Sequence, residues 1–95
     1  MTTETAELVL REAYVIADRG EIWGVVAAGA WDWNRFGPVT LTIGSRVLNA
    51  RYHGVGQERG TITVVIHPAE DWPAGLLSKL GADRQTMAGA RIRRA

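Results

Sequence analysis

The chain has no cysteine, and its 95 residues include only two serines and two histidines. The first absence removes disulfides, thiolate metal sites and cysteine nucleophiles. The scarcity of serine narrows acyl-transfer chemistry to Ser45 and Ser78. Ser45 follows a glycine at an expected tight turn, and Ser78 sits in a short helical pattern. Neither has the surroundings of a nucleophile elbow or an oxyanion hole. No apolar run approaches the roughly 18 residues of a membrane span. The first residues, Met1-Thr2-Thr3-Glu4, lack the basic start and apolar stretch of a signal peptide. The expected location is the cytoplasm or the interior of a larger assembly.

Charge is present but unevenly placed. Residues 1–34 carry six acids and two bases, a net of −4, and residues 35–95 carry four acids and nine bases, a net of +5. Ten of the eleven bases are arginine. This split suits a polar molecule that stacks head to tail, or one that offers a basic end to an acidic partner. Arginine's planar fork also suits phosphate or carboxylate contacts.

The length fits one domain, residues 1–95, and 46% hydrophobic residues suffice for one core. Residues 1–5 and 90–95 are expected to be flexible ends. The first segment fits two descriptions. Ala6, Val9, Leu10, Ala13, Ile16 and Ala17 fall at helical spacing, with Glu7 and Arg11 four apart. Leu8-Val9-Leu10 and Tyr14-Val15-Ile16 are instead rich in β-formers, and Asp18-Arg19-Gly20 can form a hairpin loop. The balance favours two strands, roughly 7–17 and 21–28. Ala27-Ala28-Gly29-Ala30 is small enough to mark a bulge where another backbone comes close.

The clearest pattern lies between Val39 and His67. A hairpin turn at Gly44-Ser45 sets Ile43 against Arg46, Leu41 against Leu48 and Val39 against Ala50. A second turn centred on Glu58, within Gly56–Gly60, sets Gly54 against Ile62, Tyr52 against Val64 and Ala50 against Ile66. Side chains alternate with period two. Both turns therefore put Val39, Leu41, Ile43, Leu48, Ala50, Tyr52, Ile62, Val64 and Ile66 on one face. Thr40, Asn49, Arg51, His53, Thr63 and His67 fall on the other. Pro68 ends this meander. Asp71 then caps a short helix containing Leu76, Leu77 and Leu80 and stopped by Gly81. Asp83 can cap a second helix through Met87 and Ile92. The expected fold is mainly β: a small antiparallel five-stranded barrel or rolled sheet with one or two short C-terminal helices. In strand number and length it resembles the SH3-like and OB-like small barrels, an analogy that carries no functional residue with it.

The register bears on chemistry. It opposes His53 to Thr63 and His67 to Asn49, which separates the histidines by roughly 13 Å at about 3.3 Å per residue. One metal ion does not bridge that distance, since Zn–N bonds are about 2 Å. No metal, cofactor, catalytic residue or small-molecule substrate is expected, and the chain does not read as an enzyme. Gly54-Val55-Gly56 precedes hairpin residues rather than a helix, so it is not a phosphate-binding turn.

Four tryptophans remain to be placed. Trp23 falls in a strand and reads as core, and Trp72 reads as a pin for the helix. Trp31 and Trp33 alternate in a connection, so one can face inward while the other meets a partner beside Arg35 and Phe36. The partner-binding candidates are Trp31, Trp33, Arg35, Arg91, Arg93 and Arg94. The expected function is a non-enzymatic protein-interaction or assembly module. It would be a self-associating structural subunit of the phage head or tail kind, or a small regulator. The alternative is a nucleic-acid-binding barrel that uses Arg51, His53 and the basic C-terminal tail. Tyr52 points inward in this register, so no aromatic interleaves with that basic face, which weighs against base stacking.

Overall fold

Six antiparallel strands close into a barrel in the order β1-β2-β5-β4-β3-β6. The computed structural model describes residues 7–82 and 87–95, apart from the side chain of Glu58. The strands are β1 (Glu7–Ile16), β2 (Glu21–Ala30), β3 (Gly37–Ile43), β4 (Arg46–Glu58), β5 (Thr61–Pro68) and β6 (Arg91–Arg94), with, among the described residues, one α-helix, α1 (Leu76–Ala82), before β6. The barrel is thus mainly β as expected, with one strand more. Among the described residues no helix is long and apolar enough to cross a membrane.

The first segment is β because β1 and β2 pair as a hairpin along their length. A 3-10 turn at Ala17–Arg19 joins them, closed by Gly20 in the left-handed region at φ 63°. Gly29 is where two backbones come close. Its φ is 137°, and a Cβ there would collide with the Glu7 carbonyl oxygen and lie 2.9 Å from Leu8 Cα.

The Gly44-Ser45 turn gives the expected register, with Ile43 opposite Arg46 and Leu41 opposite Leu48. The second turn differs. It is the two-residue pair Arg59-Gly60, both at positive φ (52° and 78°), as a type I′ hairpin requires. Gly54 therefore pairs with Val65 rather than Ile62, and Tyr52 pairs with Ile66 rather than Val64. A bulge between Tyr52 and Gly54 makes His53 the extra residue. That residue restores the alternation, so Ala50, Tyr52, Val64 and Ile66 still face the core.

Of the two expected flexible ends, residues 1–5 lie outside the described residues, and residues 90–95 contain β6. It pairs with β1 through Leu8–Ile92 and with β3 through Leu41–Ile92, and so closes the barrel. Ile92 is fully buried between the two strands. Of the second expected helix, Asp83 lies outside the described residues, Met87 is buried in the core and Ile92 is in β6.

The interior is filled from every strand, by Leu8, Leu10, Ile22, Leu41, Tyr52, Val64, Ile66 and Ile92 among others. Leu76 and Leu80 bring α1 onto this core. Gly81 does not stop the helix but lies within it. A Cβ there would sit 3.1 Å from Val15 Cβ, so glycine is what allows the helix to lie so near β1. Trp23 is not core: it points outward from β2 and is 38% exposed.

Candidate interaction face

The residues expected to bind a partner are divided by the fold into three groups. The first is an internal clamp. The Arg94 guanidinium lies 3.8 Å from the centre of the Trp31 ring. It donates to the carbonyl of Asp32 at 2.6 Å and to the carbonyl of Arg35. Trp31 meets Tyr52 edge-on at 5.7 Å, and the Tyr52 hydroxyl donates to the Trp33 carbonyl at 2.8 Å. Burial pushes the Tyr52 hydroxyl pKa up and that of Arg94 down. Trp31 and Trp33 both pack against the core, and neither is an exposed anchor. These contacts fasten the 31–36 connection to the last strand.

The second group is partly neutralised. Arg91 and Arg93 project from β6 beside Glu7 on β1; Arg93 Nε donates to Glu7, and Arg91 lies 3.8 Å from it. Because β1 and β6 are neighbouring strands, Glu7 from the acidic first third meets Arg91 and Arg93 from the basic remainder.

The third group faces outward. Arg51 and His53 point outward from β4, and among the described residues Arg51 makes no ion pair. Two hollows share both side chains. One, of about 290 Å³, adds Phe36 and Gly37. The other is an open groove of about 590 Å³ that adds Asn49, His67, Glu70 and Asp71. Phe36 is 60% exposed and packs its inner side on the Tyr52 ring at 5.5 Å. An exposed aromatic thus stands beside the basic residues after all. The 31–36 connection supplies it, rather than the strands.

The two histidines are not far apart. Their rings stack with centroids 4.0 Å apart. The Arg59-Gly60 turn brings His67 opposite Arg51, and the bulge turns His53 onto it. His67 Nε2 lies 3.0 Å from Glu21 Oε2. The expected separation, and the exclusion of a shared metal that rested on it, do not hold. Among the described residues no group of three His, Asp or Glu side chains has metal-binding geometry. Burial, the adjoining His67 and Arg51 push the His53 pKa below its usual value, against a smaller opposite effect of Glu21. The His67 hydrogen bond holds the Glu21 carboxyl below its usual value.

The acidic end of the groove comes from the 69–72 connection. Asp71 does not cap the helix, which begins at Leu76. It accepts from Asn49 Nδ2 at 2.8 Å. Trp72 Nε1 donates to the Asn49 carbonyl at 2.6 Å, and the Ala69 amide donates to the same oxygen at 3.1 Å. Trp72 thus pins this connection to β4 and holds Glu70 and Asp71 at the groove. Sequence reasoning missed Glu70 and Asp71 because the side-chain bonds that hold their connection against Asn49 of β4 join residues 22 and 23 positions apart. It missed Glu21 because that residue reaches His67 through the pairing of β2 with β5.

Comparison with family models, with curated proteins and with solved structures gives no match.

Proposed function

We propose that this chain is a non-enzymatic assembly module that associates with further copies of itself through the outer face of β4. The observation that carries this reading is Phe36. A large apolar ring, 60% exposed, stands on a closed barrel beside an arginine that has no ion-pair partner among the described residues. Aromatic rings ringed by polar groups are the usual anchors of protein contacts. The main chain of β4 around Tyr52 is engaged by β3 and β5, so this face offers side chains rather than a free strand edge. Such a rigid barrel suits a structural subunit, of the phage head or tail kind, better than a regulator that must reshape itself around its target.

The test is the mass of the protein in solution, measured for the wild type and for Phe36→Ser. The wild type associates with increasing concentration. The variant, whose altered side chain is mostly in solvent, folds normally and associates at least about tenfold more weakly.

A second reading is favoured by one observation: Phe36, Arg51 and His53 share a hollow. An aromatic beside a cation is also how single-stranded nucleic acid is held, by base stacking and a phosphate contact. Binding of a labelled oligonucleotide that weakens steeply with salt, and is lost in Arg51→Gln, would favour that reading.

A further inference from the structure

We infer that the partner surface for this face is the same face of a second copy, joined by a two-fold axis that sets Arg51 of each copy against Glu70 of the other. The inference rests on the self-association proposed above and specifies its chemistry. A two-fold interface uses one patch twice, so the patch must complement itself. The β4 groove meets that requirement. Arg51 and His53 supply its basic part, and Glu70 and Asp71 supply its acidic part. Asp71 is engaged by Asn49, whereas Glu70 and Arg51 are both exposed and make no ion pair among the described residues. An unpaired cation and an unpaired carboxylate thus share one open groove of about 590 Å³ without meeting each other. Turning a second copy by half a revolution brings opposite charges together twice. Phe36 adjoins Arg51 in the neighbouring hollow, so its burial in the same contact supplies affinity while the charges fix orientation. A simple anion would meet Glu70 and Asp71 in the same groove and be repelled. A simple cation would meet Arg51. The mixed charge fits a partner that carries both signs.

Charge reversal tests this directly. In a homodimer, Arg51→Glu sets a new carboxylate against Glu70 twice, and Glu70→Arg sets a new guanidinium against Arg51 twice. Each variant alone should associate at least about tenfold more weakly than the wild type. In an equimolar mixture the new carboxylate of one variant meets the new guanidinium of the other. The native Arg51 and Glu70 that the two variants retain also meet across the interface. The mixture should therefore recover a species of twice the monomer mass. Both sites are exposed, so each variant should keep the wild-type circular dichroism. A wild type that associates while both single variants associate equally well overturns the inference and leaves the self-association reading standing. So does a mixture that stays as weak as its parts. A mixture that recovers only long polymers overturns the two-fold arrangement in favour of a head-to-tail one. A wild type that stays monomeric overturns both the inference and the reading beneath it.

Discussion

The rings of His53 and His67 stack face to face, 4.0 Å between centroids and 22° from parallel. They come from two strands and meet because of two backbone features. The type I′ turn at Arg59-Gly60 fixes the register of β5, and the bulge in β4 turns His53 towards its neighbour.

That stack predicts a pH dependence. His53 has a folded-state pKa below its ordinary 6.5, chiefly through burial and then through His67 and Arg51. The unfolded chain therefore takes up the proton first as pH falls. Stability is greatest with His53 neutral and declines as pH falls from above 6.5 to the lower folded value. Glu21 acts at lower pH. Its depressed pKa adds stability that is present above its ordinary 4.5 and is lost as pH falls through the folded value. Melting temperatures measured from about pH 7.5 to about pH 5 should fall in the wild type. They should fall less in His53→Asn. Equal slopes in the two proteins would remove His53 as the cause.

The core assignment predicts a contrast between adjacent residues of β5. Val64 is fully buried and Thr63 is not. Val64→Ala should cost on the order of 1–3 kcal/mol through lost burial and a cavity. Thr63→Ala should be nearly silent in the same urea titration. A larger loss at Thr63 than at Val64 would mean that the strand is facing the other way.

Arg94 should matter more for stability than a half-exposed arginine ordinarily would. It stacks on Trp31 and donates to two carbonyls of the 31–36 connection. Arg94→Ala should cost about 1–3 kcal/mol and shift the tryptophan fluorescence to the red as Trp31 becomes wetter. Arg94→Lys keeps the charge but not the planar fork, and should recover only part of the loss. An unchanged emission spectrum would contradict the clamp.

Two glycines should respond in opposite ways. Gly29→Ala forces a Cβ into the Glu7 carbonyl at a φ of 137° and should loosen the β1–β2 pairing. Gly56→Ala meets open space, with nothing within 4 Å, and should be neutral or slightly stabilising. Amide exchange of β1 and β2 separates the two cases.

Much of this architecture is legible along the chain, for identifiable reasons. Gly44-Ser45 lies between two β-rich runs and fixes the first register. The inward set survives the error at the second turn because the His53 bulge compensates for it. Parity is legible there, but the residue-by-residue pairing is not. Nothing in Gly56–Gly60 says that Arg59 takes a positive φ, a conformation uncommon outside glycine, asparagine and aspartate. The stacked histidines are hidden for that reason. β6 is hidden because four residues ending in two arginines read as a basic tail. The alternation in which Ile92 points inward between outward Arg91 and Arg93 is its only signature. The charge split misleads because net charge by segment ignores that β1 and β6 are neighbours, where Glu7 meets Arg91 and Arg93.

The measurement that bears most directly on the proposed assembly role is the mass of the purified protein by light scattering. It is taken over a range of concentrations, with and without a single-stranded oligonucleotide. For a self-associating module the mass rises above the 10.4 kDa monomer with concentration and is the same when the oligonucleotide is present. A monomer at every concentration, whose mass grows only when the oligonucleotide is added at low salt, would contradict that role.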